Sequence, residues 1–166
     1  MMNRQNQEEQ ERDFIRMIKE NERVIYKVCS VYVSEEFPME DLYQETVLNL
    51  WKAFPRFRNE SSYSTYIYRV ALNTCISGIR REKRRPKKAP LSFSAELTFE
   101  PDNMEENIRE LYRLIRQLKT LERAIILLWL EEKPYQEIAE LTGLSRNNVA
   151  TKLKRIREKL KVMLNY

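Results

Sequence analysis

The sequence predicts an all-α protein: two small helical domains joined by a flexible linker, the C-terminal one a helix-turn-helix. Three observations carry this. Apolar residues recur at helical spacing over long stretches, whereas only two glycines and six prolines punctuate 166 residues. One third of the residues are charged, yet 42% are hydrophobic, which suffices for a core. A stretch without sustained period, residues 86–103, separates the two periodic halves, so the domains are expected at 10–85 and 104–166.

Residues 11–33 read as one or two amphipathic helices, with Phe14, Ile15, Ile18, Ile25, Val28, Cys29 and Tyr32 as the apolar stripe and Asn21 as a cap for a second helix. Pro38 starts the next helix, 37–54, and Glu40 and Asp41 suit the positive end of its dipole. Tyr43, Val47, Leu50 and Phe54 form its core face, with Trp51 beside them. Asp41, Gln44, Glu45, Leu48 and Lys52 form the other face. There Leu48 is either an ordinary exposed leucine or the apolar anchor of a protein-docking surface. A loop follows at 55–62, with Ser61 or Ser62 capping a helix that starts at Tyr63. Tyr63, Ile67, Val70, Ala71 and Thr74 are expected inside. Tyr66, Arg69, Asn73, Ser77 and Arg80 form a polar stripe, which is either a plain solvated face or one suited to stacking on and bonding unpaired bases. Gly78 weakens this helix by about 1 kcal/mol relative to Ala and predicts a bend or an early end.

Beyond the linker, Ile108, Leu111, Ile115 and Leu118 define a helix that packs on Ile125, Leu128 and the segment behind them. Pro134 opens a short helix bearing Ile138, Ala139 and Leu141. Gly143 can supply the left-handed residue of a tight turn, and Ser145 is a good N-cap. The last helix puts Val149, Leu153, Ile156 and Leu160 on one face and Asn147, Thr151, Lys154 and Arg155 on the other. That is the pattern of a helix-turn-helix whose second helix enters the major groove; the plainer reading is a solvated helix at the end of a bundle.

The net charge of +5 is modest but unevenly placed. Residues 80–88 hold seven bases and one acid, and residues 145–161 again hold seven and one. Residues 91–110 between them hold six acids and a single base, Arg109. Two separated basic segments point to two nucleic-acid contacts. With no histidine, His-based catalysis and a zinc site are excluded, and neither Cys29 nor Cys75 has a partner for nucleophilic chemistry; both read as core. No phosphate-binding glycine loop appears, so neither enzyme activity nor cofactor nor metal is expected. Without an apolar run of membrane-spanning length or a signal-peptide pattern, a soluble, cytoplasmic protein that does not insert into the membrane is expected.

Together, DLYQETVLNLWKAF (41–54), YSTYIYRVALNTCI (63–76) and LERAIILLWLEEKPYQEIAELTGLSRNNVATKLKRIREKL (121–160) resemble a bacterial RNA polymerase sigma factor of the small extracytoplasmic-function type. The resemblance covers about residues 12–162. It implies that 10–85 is the region 2 domain and 104–166 the region 4 domain, and that the linker threads near the RNA exit path of the polymerase. It implies that Asp41, Gln44, Glu45 and Leu48 bind core RNA polymerase. Asn59, Tyr66, Arg69, Asn73 and Arg80 would recognise and open the −10 element of promoter DNA, and Arg146, Asn147, Thr151, Lys154 and Arg155 would read the −35 element. An anti-sigma factor is an implied partner. The acidic linker could also shield the basic surfaces of the free chain. The sequence departs from the family at Tyr66, often Trp there, at Ser77-Gly78, often an acidic-plus-bulky pair, and at Lys119-Thr120-Leu121, where Leu-Pro is usual. A stand-alone helix-turn-helix regulator is the alternative reading; it would bind a palindrome as a dimer and leave the Gln44 face without a role.

Overall fold

The computed structural model describes residues 3–57, 62–84 and 105–165. Among these residues there are eight α-helices and no strand: α1 (Arg4–Glu20), α2 (Glu22–Tyr32), α3 (Met39–Ala53), α4 (Tyr63–Arg84), α5 (Glu106–Ile115), α6 (Thr120–Leu130), α7 (Tyr135–Thr142) and α8 (Arg146–Leu164). The expected linker lies outside the described residues.

The first four helices pack around α2, whose Ile25, Val28, Cys29 and Val31 are fully buried. Phe14 of α1 meets the edges of Trp51 and Phe54 at centroid distances of 4.9 and 5.4 Å, which fixes α1 across the end of α3. Asn21 lies between α1 and α2 but does not cap α2. Its side-chain amide donates to the Met17 carbonyl at 2.8 Å, so it closes the end of α1 instead. The core of this half also holds polar groups that satisfy one another. Asn49 donates to the Thr74 hydroxyl at 3.0 Å, and Thr74 donates to the Val70 carbonyl at 2.7 Å. Buried Thr46 sits 4.0 Å from the Cys29 sulfur. Hydrogen bonding with Cys29, and then burial, pushes the Cys75 thiol well up, in keeping with its core role.

α4 runs unbroken to Arg84, so Gly78 does not end it. A Cβ there would meet Phe37 at 3.7 Å, an ordinary contact, so Gly78 fills a place that Ala could also fill.

In the second half, α6 is the buried centre: Ala124, Ile125, Ile126, Leu127 and Leu128 are all excluded from solvent. α7 and α8 close over it through Ile138, Val149, Leu153, Ile156 and Leu160. Ile115 and Leu118 are buried as expected, but Ile108 at the start of α5 is 41% exposed, and Tyr112 and Leu114 take its place inside. The reason is tertiary: α5 packs against α2 as well as α8, so its buried arc turns away from Ile108.

The two halves touch. α2 packs against α5 and α6. At the end of α2, Arg116 and Arg123 donate to the Ser30 and Val31 carbonyls at 3.2 and 3.1 Å, and the Tyr32 hydroxyl donates to the Thr120 carbonyl at 2.8 Å. Arg123 also lies over the Tyr32 ring at 5.8 Å. At the end of α6, the Glu131 carboxylate accepts from Lys27 at 2.9 Å and from the Tyr68 hydroxyl at 3.1 Å.

The turn after α6 forms a Schellman motif: Glu132 N–H donates to the Trp129 carbonyl and Lys133 N–H to the Leu128 carbonyl, each at 3.0 Å. The residue that must be left-handed is Glu132, at φ 60°, where glycine is the usual choice. Replacing Glu132 with Gly is expected to raise stability by about 1 kcal/mol, because the Cβ strain of the left-handed region outweighs the entropy of an added glycine. Urea unfolding of the two proteins measures this; an unchanged or lowered midpoint would count against the strain.

Candidate nucleic-acid interface

The C-terminal surface is built from the turn outward. α7 ends at Gly143, which takes φ 75° and donates its N–H to the Ala139 carbonyl at 2.9 Å. Ser145 then caps α8, its hydroxyl accepting from Asn148 N–H at 3.1 Å. With Val149, Leu153, Ile156 and Leu160 buried, Arg146, Asn147, Thr151, Lys154 and Arg155 are all placed on the exposed face. The Thr151 hydroxyl donates to the Asn147 carbonyl at 3.0 Å, so its proton is taken by its own helix and its lone pairs point outward as acceptors.

Two of the seven bases in this stretch hold the helix in place. Arg157 lies over the Trp129 ring at 4.6 Å, and Lys159 reaches Glu122 at 3.2 Å. Glu122 also accepts the Lys119 N–H at 3.1 Å and so caps α6 while gripping α8. Lys119-Thr120-Leu121 therefore starts the helix without proline. The remaining bases, Arg146, Lys152, Lys154, Arg155 and Lys161, face solvent from a firmly seated rod.

On α4 the polar stripe is narrower than the sequence suggests. Arg69, Asn73, Ser77 and Arg80 are exposed at spacings of four, four and three. Tyr66 is not part of it: the ring is 9% exposed, lies 4.7 Å from Phe57, and donates its hydroxyl to the Leu50 carbonyl at 3.0 Å. That carbonyl near the end of α3 takes the hydroxyl as a partner, and the two rings bury together; burial pushes the Tyr66 phenol up to about 12. Tyr63, expected inside, is instead 42% exposed and stacks on Phe57 at 5.1 Å. An aromatic step therefore runs outward from Tyr66 through Phe57 to Tyr63. The aromatic surface beside the loop belongs to Tyr63, a residue the periodicity assigns to the core. Ser62 caps α4 by accepting from Thr65 N–H at 3.2 Å. Asn59 and residues 85–88 of the basic run lie outside the described residues.

On α3, Asp41, Gln44 and Leu48 are exposed in one row, and Leu48 is half exposed. Glu45, in the same row, is held by Arg81 of α4 at 2.8 Å. This pair links the α3 face to the α4 stripe and is not legible from spacing, since 36 residues separate its members. No helix among the described residues is long and apolar enough to cross a membrane, and no group of metal-ligating side chains occurs among them.

Comparison with known proteins matches residues 17–85 to Sigma-70 region 2 and residues 108–160 to Sigma-70, region 4. The ECF RNA polymerase sigma-E factor of Escherichia coli strain K12 is 29% identical over 153 residues, covering 82% of this chain and 80% of that protein. The ECF RNA polymerase sigma factor SigG of Mycobacterium tuberculosis is 47% identical over 47 residues, 28% of this chain but 13% of that longer protein. In fold, the chain is similar to the sigma factor RpoE from Bartonella quintana, solved with the anti-sigma factor NepR. The TM-score is 0.72 at 17% identity, covering 92% of this chain and 97% of that one. It is also similar to CnrH, solved with the cytosolic domain of CnrY, with a TM-score of 0.64 at 18% identity, covering 93% and 89%.

The Glu122 clamp makes a pH-dependent prediction. Burial pulls its carboxyl up, but the Lys119 N–H and the Lys159 ammonium outweigh this and hold it below its ordinary 4.5. A lowered folded-state pKa contributes stability above the unfolded value that is lost as pH falls through the folded one. Glu122→Gln is therefore expected to cost about 1 kcal/mol near neutral pH, the usual size of a cap. The gap between the two urea midpoints should close as the solution is acidified below 4.5. A gap independent of pH would show that the charge plays no part.

Proposed function

The chain belongs to the extracytoplasmic-function sigma factors of the sigma-70 family, and from that premise we propose that it directs promoter-specific initiation by core RNA polymerase. The observation that carries this reading is the order of the two matched Sigma-70 regions, each presenting its own exposed face: Asp41, Gln44 and Leu48 on α3, and the solvent side of α8.

The α3 row docks on the polymerase, with Leu48 as the apolar anchor among polar neighbours and Glu45, steadied by Arg81, at its edge. The α8 face reads the −35 duplex. Arg155 and Lys154 suit guanine edges and phosphates, and Asn147 suits adenine. Thr151, its proton already bonded, accepts from exocyclic amino groups. The α4 stripe of Arg69, Asn73 and Arg80, with Asn59 and the outward Tyr63, receives unstacked bases of the opening −10 strand. Tyr66 supports this surface from beneath, with its hydroxyl on Leu50. Binding energy alone opens the duplex, so the protein works without a reaction, metal or cofactor of its own, in the cytoplasm where polymerase and promoter meet. The similar RpoE was solved with an anti-sigma factor, which supports an anti-sigma factor as the third partner here.

Arg155→Ala should weaken promoter binding by the holoenzyme by about 1–3 kcal/mol and relax the preference at one −35 position. Gel-shift titration against promoters substituted base by base measures this; an equal loss on every sequence would place Arg155 on phosphate only. Leu48→Asp should abolish capture of core polymerase without changing the helical signal of the free chain. Retained capture, or a free dimer that binds a palindrome and ignores polymerase, would overturn the reading in favour of a stand-alone regulator.

A further inference from the structure

Three hydrogen bonds cross between α3 and α4. Arg81 donates to the Glu45 carboxylate at 2.8 Å, Asn49 to the Thr74 hydroxyl at 3.0 Å, and the Tyr66 hydroxyl to the Leu50 carbonyl at 3.0 Å. The α3 partners rise through 45, 49 and 50 while the α4 partners fall through 81, 74 and 66, so the helices run antiparallel and the bonds are spread along α4. Each bond lies next to a residue of one of the two faces assigned above. Glu45 belongs to the α3 row, and Asn49 follows Leu48. On α4, Thr74 follows Asn73, Arg81 follows Arg80, and Tyr66 packs on Phe57, which carries the outward Tyr63.

The three bonds are unequal. The Arg81 and Glu45 side chains are 61% and 41% exposed, and an ion pair in water fixes geometry weakly. The Tyr66 bond lies near the end of α3. The Asn49–Thr74 bond lies inside the contact: Thr74 is buried, and its own proton goes to the Val70 carbonyl at 2.7 Å, so the hydroxyl meets Asn49 as an acceptor. The buried side chains nearby in sequence, Leu50, Ala71 and Leu72, attract without direction and tolerate a small slide of one helix on the other. A hydrogen bond does not, because an amide that leaves its acceptor in a half-buried site loses its partner.

We propose that Asn49 and Thr74 are a positioning pair that fixes the register of α4 on α3 and so sets the strand-capturing stripe at a defined place relative to the polymerase-docking row. The pair rests on the sigma-factor reading for what the two faces do. Neither residue touches polymerase or DNA; both act through the neighbours they hold, Leu48 and Asn73. Stability is not their contribution, since replacing both partners of such a bond by apolar groups of similar shape is nearly neutral for folding. Specificity is: a satisfied buried polar pair selects one packing among several that apolar side chains would accept. A misplacement of about 1 Å can cost a proximity-driven step about a hundredfold.

The test uses the full chain with core RNA polymerase and a duplex promoter that the wild-type holoenzyme selects from random sequence. Anisotropy of a dye at exposed Glu9→Cys reports core binding, the native cysteines being buried. Permanganate reactivity of thymines in the −10 element reports opening. Asn49→Leu/Thr74→Val should keep a wild-type or higher urea midpoint. It should bind core polymerase within about twofold of wild type, yet open the promoter at least about tenfold more slowly. Thr74→Val alone, of nearly the same shape, should share the slow opening, whereas Thr74→Ser, which keeps the hydroxyl, should open within about twofold of wild type. That comparison decides the matter if the double variant does not fold. Wild-type opening by Thr74→Val would overturn the pair, as would an equal loss in Thr74→Ser. So would slow opening in the double variant that is matched by a lowered urea midpoint or by an equal loss of core binding. If the wild-type chain neither binds core polymerase nor selects a promoter, the sigma-factor reading itself falls and the pair has nothing to position.

Discussion

Burial of two short apolar helices, α2 and α6, is the constraint that the rest of the structure follows. A helix that is apolar on most sides must be surrounded. α2 therefore collects α3 and α4 on its flanks, and α6 collects α7 and α8. Neither set covers its central helix completely, and the remaining sides of α2 and α6 meet each other. The end of α2 then falls where Arg116 and Arg123 can supply the donors its last carbonyls lack. The relation between the halves is thus a consequence of how each core is closed, and one buried cluster runs through both.

This explains why so little of α4 is available. The helix is covered by α2 and α3 from one side and touched by α6 and α7 residues from another. Tyr66, Tyr68, Leu72 and Cys75 are all buried. Burial and the neighbouring Glu131 push the Tyr68 phenol up, so it is a fixed donor to that carboxylate. What remains exposed is the row of Arg69, Asn73, Ser77 and Arg80. The exposed row is selected by subtraction, on an unbroken helix that a buried Gly78 does not interrupt.

The C-terminal domain divides its charges in a similar way. Arg157 on Trp129 and Lys159 on Glu122 hold α8 against α6, while five other bases face outward. A helix proposed to distinguish base edges must be held to within about 0.5 Å. Anchors at its far end, a serine cap at its start and four buried aliphatic residues between provide that rigidity. The same economy appears on α3, where Arg81 steadies Glu45 from the neighbouring helix.

The sequence by itself determined the helices, the break between two domains, the turn at Gly143, the Ser145 cap and the outward row of α8. All of these are set by local periodicity and by backbone groups that near neighbours satisfy. It also marked Leu48 as misplaced, because a single helix wheel suffices to show it. Only the tertiary structure decided the fates of Tyr63, Tyr66 and Ile108, since each depends on which neighbour covers a helix flank. It likewise decided that Asn21 closes α1, that Glu132 takes a glycine's conformation, and that Arg81 meets Glu45. The seam joining Lys27, Tyr32 and Tyr68 to Thr120, Arg123 and Glu131 spans at least 63 residues of chain, and no periodic pattern carries information over that distance.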